Sequence, residues 1–179
     1  MKPETVLTFW FSELEPPMWW KKTPSLDALI AERFGALHRQ AVQNELFAWR
    51  GSAGGALAEV IVLDQFSRNI FRGRPEAFLY DPLAVALAQS AIEKKYDQAL
   101  PPTERCFLYM PFMHSESPVI HAVAVRLFEQ LGNPKNLDYE LRHKAIIERF
   151  GRYPHRNEIL GRESTEEELV FLKQPNSGF

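Results

Sequence analysis

Three short strings in this chain hold residue types that could do chemistry. The first is Asp64-Gln65-Phe66-Ser67-Arg68-Asn69-Ile70-Phe71-Arg72. Positions 64, 68 and 72 are four apart, so on a helix one carboxylate and two guanidinium groups share a face, with Arg68 in the middle. On an ordinary surface helix this is an ion pair worth about 0.2–0.5 kcal/mol, with Arg72 in water. The neighbours here are apolar, and a charge in such surroundings persists only when paired and hydrogen-bonded.

The second string is Pro111-Phe112-Met113-His114-Ser115-Glu116. Pro111 frees the carbonyl of Phe107 and must bend or finish its helix, which aims His114 and Glu116. Histidine titrates nearest neutral pH, so a turn that converges the two side chains would make a proton-handling pair. The plainer alternative has Ser115, Glu116 and Ser117 ending one helix and capping the next, with His114 hydrogen-bonded near a helix C-terminus.

The third string, Arg149 to Arg162, contains Arg152, His155, Arg156 and Asn157. From Arg142 to Arg162 there are six Lys or Arg against two Glu, a local balance of 6 − 2 = +4 in a chain whose net charge is −2. Arginine presents a planar donor fork matched to carboxylate or phosphate, so several converging on one loop suit an anion. Glu163, Glu166, Glu167 and Glu168 follow at once, and internal salt bridging is the competing reading.

Taken together, these strings predict a site in which Arg68, Arg72, Arg152, Arg156 and Arg162 hold a small anionic ligand. Asp64, His114, Glu116 and His155 would orient it, with Gln65 and Asn157 completing the set. If a reaction occurs there, His114 or His155 is the general acid or base and Glu116 or Asp64 its orienting carboxylate. This reading requires all three strings to meet in one cleft. An interaction module is the alternative, offering a peptide a groove lined by Trp19, Trp20 and Phe112. Two further possibilities are a metal site of His114, Glu116 and His155, and a buried polar network that fixes helix register without any ligand.

The elements that must position these residues read as helices throughout. Thr23-Pro24, Asp81-Pro82 and Ser117-Pro118 have the form of a cap followed by proline at the first helical position, and Ser164 with Glu167 has the form of a capping box. The pattern predicts helices near 3–14, 24–46, 53–72, 82–95, 102–113, 118–131, 137–150 and 165–173. Val119, Val123, Leu127 and Leu131, widened by Ile120 and Phe128, predict the core face of the 118–131 helix. The 53–72 segment is apolar almost all round, as expected of a central helix covered on every side. Gly151 and Gly161 suit left-handed caps. Strand alternation is missing, so the expectation is an all-α chain of about eight helices in antiparallel hairpins.

Bulk properties bound the function. The chain has 179 residues, 45 % hydrophobic and 25 % charged, the proportions of a soluble globular protein, and one domain is expected over 1–179. A net charge of −2 argues against a general nucleic-acid or anionic-membrane partner. No apolar run approaches the ~18 residues of a membrane span, and the N-terminal Met-Lys-Pro-Glu-Thr lacks the features of an export signal. With Cys106 the single cysteine, no intrachain disulfide or cysteine-rich zinc site is possible, a cytoplasmic location is expected, and the thiol itself reads as buried and unreactive. Glycine-rich phosphate loops, dinucleotide fingerprints, His-Glu-x-x-His and Gly-x-Ser-x-Gly are all missing, so no cofactor is expected.

The chain also resembles a bacterial family known as domain of unknown function 924. The likeness runs through Val6-Leu7-Thr8-Phe9-Trp10-Phe11, Leu63 to Gly73, Phe107 to Glu116, Phe150 to Asn157 and Leu160 to Thr165. The His-Ser-Glu and Pro-His-Arg-Asn strings, in that order, are its specific marks. Ser67 stands where members commonly carry proline. The resemblance implies an α/α superhelix similar to tetratricopeptide-repeat proteins, and implies no reaction.

Overall fold

Proline sets most of the helix starts, because first-turn amides have no intrahelical acceptor and a missing N–H there costs nothing. The computed structural model of the chain describes residues 1–175, 177 and 178. Its α-helices are α1 (Pro3–Thr8), α2 (Pro24–Val42), α3 (Ala53–Ile61), α4 (Ser67–Ile70), α5 (Asp81–Glu93), α6 (Pro102–His114), α7 (Pro118–Leu131), α8 (Pro134–Phe150) and α9 (Glu166–Leu172). Short 3₁₀ and π turns join or extend them, and no strand occurs among the described residues. No described helix is long and apolar enough to cross a membrane.

The caps differ from expectation in instructive ways. Ser117 caps α7 through the amide of Ile120, but Thr23 makes no cap bond to α2. Asp81 is the first residue of α5 rather than its cap, because its carboxylate is drawn to Arg68. The capping box of α9 is formed by Thr165 and Glu168, one residue later than predicted; the Ser164 hydroxyl instead accepts from Asn157. Helix α8 starts at Pro134 rather than near 137, since Asn133 accepts from the amides of Lys135 and Asn136.

Two compact units make up the chain. The first comprises Met1–Arg72 and Glu76–Pro111, the second Gly73–Pro75 and Phe112–Phe179. In the first, α2 buries Leu26, Ile30, Phe34, Leu37 and Ala41, a stripe at helical spacing. Phe34 packs with Phe9 and Phe66, and Trp10 with Phe66 and Phe107. Helix α3, the π turn Val62–Phe66 and α4 follow one another without a break, and every residue from Gly55 to Ser67 is buried. This is the central helix anticipated from its all-round apolar surface.

In the second unit α7 packs on α8. Helix α7 buries His121, Ala124, Leu127 and Phe128, whereas Val119, expected on the core face, is 74 % exposed. The helix is rotated because His121, not a valine, is claimed by buried polar partners described below. Helix α8 contributes Glu140, His143, Ile146 and Ile147, the last two packing with Tyr153 against Phe150 and Phe171. Gly151 closes α8 at φ +68°, a left-handed conformation that leaves a Cβ unwelcome.

Candidate functional site

The first string lies in the first unit and sits on a π turn. Such a turn inserts one residue into a helix and is frequent at functional sites. Here it carries Asp64 and Gln65 into the interior. The Gln65 amide donates to Asp64 at 2.5 Å and lies 3.7 Å from the Met110 sulfur. Arg68 reaches the Asp64 carbonyl at 2.7 Å and its carboxylate at 3.3 Å, and it forks onto Asp81 with bonds of 2.9 and 3.0 Å. One guanidinium thereby serves two buried carboxylates, the arrangement a dry setting requires.

Arg72 leaves this group. Helix α4 ends at Ile70, and Phe71 departs from helical geometry, so the expected 64/68/72 face stops short. Arg72 turns to Asp27 of α2 at 2.5 and 2.7 Å, where Asn69 also donates. Partial burial opposes ionisation of Asp27, but the bonds from Arg72 and Asn69 outweigh it and hold the carboxyl below its ordinary range.

The second and third strings come together in the second unit, around the end of α6. A helix C-terminus exposes carbonyls that have no intrahelical donor. Tyr153 Oη donates to the Met113 carbonyl at 2.5 Å, Arg156 Nη2 to that of His114 at 3.0 Å, and His121 Nε2 to that of Ser115 at 2.8 Å. Glu116, next in line, accepts from the Tyr153 amide at 2.7 Å and from both arms of Arg162 at 2.7 and 2.9 Å. Four consecutive residues are thus each held by a different group. The helix that contains Pro111 runs on to His114, so the proline does not end it.

Tyr153 is the hub of this arrangement. The Arg156 guanidinium lies 4.6 Å over its ring, its carbonyl accepts from Arg162 at 3.1 Å, and the His155 ring is 5.6 Å away. Arg162 also donates to Asn157, Asn157 to Glu168, and Glu168 is gripped by Arg152 at 2.7 and 2.8 Å. Glu116, Arg152, Arg156, Asn157 and Arg162 therefore belong to one network, with His114 and His155 half-buried beside it. Burial opposes ionisation of Glu116, yet Arg162, the Tyr153 amide and the charge of Arg156 together hold its carboxyl low. Glu168 is held lower still, at about 2, chiefly by the Arg152 bonds.

Beneath the network lies a pair that sequence reasoning missed. His121 Nδ1 is 2.7 Å from Glu140 Oε1, and both side chains are fully buried. The Ser115 carbonyl can only accept, so His121 carries its proton on Nε2, with Tyr153 Oη 3.1 Å away as a second acceptor. A single further proton is then shared between Nδ1 and Glu140. Burial raises the Glu140 carboxyl, and its Oε2 has no hydrogen-bond partner among the described residues. His143, on the same helix, donates from Nδ1 to the Tyr139 carbonyl at 2.7 Å, and burial pushes its imidazole down to about 3. The available signal was the spacing of 121, 124 and 127–128 on α7, in which the histidine occupies a core position.

Other expectations are revised. Both oxygens of Glu116 are occupied by donors, and no group of three His, Cys, Asp or Glu among the described residues could hold a metal ion, so His114, Glu116 and His155 form no metal centre. Phe112, expected to line a groove, is buried in the second unit. Trp20 is 61 % exposed and stacks on Phe107. Cys106 is half-buried rather than fully enclosed, and burial pushes its thiol up to about 12, consistent with the unreactive reading.

Comparison with known proteins agrees with this architecture. The chain matches the family described as bacterial protein of unknown function (DUF924) over residues 6–176. A solved structure of a protein of unknown function from Agrobacterium tumefaciens is 37 % identical, covers 97 % of each chain and superposes with a TM-score of 0.92. No curated protein matches the chain.

Proposed function

The chain belongs to the bacterial DUF924 family, and we propose that it binds a small anionic metabolite, bearing a carboxylate or phosphate, at the Tyr153-centred cluster. Arg152, Arg156, His114 and His155 are the contacting side chains in this reading. The observation that carries it is the state of Arg156: its guanidinium is stacked on Tyr153, tethered to the His114 carbonyl and only 6 % exposed. A planar donor fork fixed in this way needs no ordering when an anion arrives, which is the condition for tight recognition. The His155 ring lies 5.6 Å from the same Tyr153 ring, and His114 is likewise half-buried. The single half-buried cysteine fits a cytoplasmic setting, and the α7–α8 hairpin fits a tetratricopeptide-like superhelix.

A second reading, peptide binding, draws on one observation: Trp20 lies exposed over Phe107 with Trp19 edge-on beside it. Thermal unfolding against phosphorylated and carboxylated metabolites separates the two. A specific ligand at 100 times its dissociation constant adds about 2.7 kcal/mol, a rise of roughly 5 to 10 °C for this chain length. The anion reading predicts such a rise, lost in His155→Ala. A flat response across the panel contradicts it and favours the peptide.

A further inference from the structure

Gly55 permits a close approach of two backbone segments. A Cβ at this position would lie 2.0 Å from the Trp49 carbonyl oxygen, so glycine lets the 3₁₀ turn Phe47–Gly51 close against the first turn of α3. Ser52 caps that helix through the Gly55 amide at 3.1 Å. The closure lays Arg50 on Glu59, with Nε and Nη2 at 2.7 and 2.6 Å from the two carboxylate oxygens. Glu59 is fully buried, and both its oxygens are met by this one guanidinium. Nη2 also donates to Asn44 at 2.9 Å. The guanidinium is therefore locked on its Nε–Nη2 edge, while Nη1 makes none of the described hydrogen bonds.

A second cation is brought alongside. Lys94 follows α5, yet its ammonium does not return to the last carbonyls of that helix. It donates to the main-chain carbonyl of Arg50 at 3.2 Å and lies 5.7 Å over the Tyr96 ring. Arg50, Glu59, Ser90, Lys94 and Tyr96 border a shallow hollow, open to solvent and itself with room for about one water molecule, whose remaining wall is apolar. Two cations against one carboxylate leave a positive charge on it. The donors that face it, the Arg50 Nη1, an ammonium and two hydroxyls, are of the types that recognise an oxyanion.

We propose that this hollow is an oxyanion site of the first unit, taking a carboxylate or phosphate group on Arg50 and Lys94, with Ser90 and Tyr96 as neutral donors. It is independent of the Tyr153 cluster and stands or falls separately. The test is an NMR titration of the full chain with inorganic phosphate and, separately, acetate, against chloride at equal ionic strength. Saturable shifts of the Arg50 Nε–H and the Ser90 and Lys94 amides are expected with phosphate, acetate or both, and which anion saturates identifies the group. Lys94→Gln, at an exposed position, should weaken binding roughly tenfold or more, and Ser90→Ala less. His155→Ala should leave it unchanged. Shifts that do not saturate, that chloride reproduces, or that survive unchanged in Lys94→Gln overturn the proposal.

Discussion

The phenol of Tyr153 donates a 2.5 Å hydrogen bond to the main-chain carbonyl of Met113, 40 residues away in sequence. The same residue holds Glu116 with its amide, accepts Arg162 on its carbonyl and supports Arg156 on its ring. The end of α6 is therefore closed by one side chain and its immediate neighbours. Tyr153→Phe keeps the ring and removes the hydroxyl, leaving the Met113 carbonyl without this donor and His121 Nε2 without its second acceptor. A loss of about 1–3 kcal/mol is expected from such a group. Urea unfolding measures it, and a midpoint equal to that of the wild type would refute the assignment.

Glu168 ties α9 to Arg152 and also completes the α9 capping box. Its folded pKa, about 2, lies below the ordinary 4.5. The stabilisation is therefore complete above pH 4.5 and drains away as pH falls toward 2. Gln can still serve the capping box but cannot pair with Arg152 as a charge. Glu168→Gln should lose roughly 1–3 kcal/mol at pH 7 and show a shallower decline of stability between pH 4.5 and 2. A variant with the wild-type acid profile would count against the ion pair.

Two buried histidines give a second acid dependence with its own window. Burial lowers His38 to about 4 and His143 to about 3, against 6.5 for the free imidazole. The unfolded chain takes up these protons first, so their contribution is intact above pH 6.5 and is lost as pH falls from there through 4 and 3. Ring resonances followed by NMR should stay in the neutral form from pH 8 to pH 5. A midpoint near 6.5 for either ring would be incompatible with its placement.

The Glu140 carboxyl and His121 share one proton, with both side chains fully buried. Glu140→Gln can still donate to Nδ1 and should cost little, whereas Glu140→Ala leaves that nitrogen unsatisfied and should cost about 1–3 kcal/mol. Imidazole nitrogen shifts should report the proton on Nε2 of His121. Observation of the Nδ1 tautomer, or equal stabilities for the two variants, would rule the arrangement out.

Much of the fold is legible in the chain because proline and apolar period mark helices locally. Pro24 and Pro118 begin helices where expected, and of the segment 53–72, expected to be a covered helix from its all-round apolar surface, residues 55–67 are buried. Departures occur where a polar side chain has a better tertiary partner than its local one. Asp81 abandons a cap for Arg68, Ser164 yields the capping box to Thr165, and His121 rotates α7 away from its valine stripe toward Glu140. The site was legible in part for the same reason. Glu116 and Arg162 meet, but across 46 residues, a separation no spacing rule reaches. Arg72 fails to join Arg68 because the helix ends two residues sooner than its pattern suggests.

The central claim is that the Tyr153 cluster presents fixed cationic donors and two imidazoles to an anion. The most direct measurement follows the His114 and His155 ring resonances by NMR while phosphate or citrate is added at constant ionic strength. Saturable shifts at both rings, retained in Lys94→Gln, are the predicted result. Rings that respond to neither anion while the chain remains folded would contradict it.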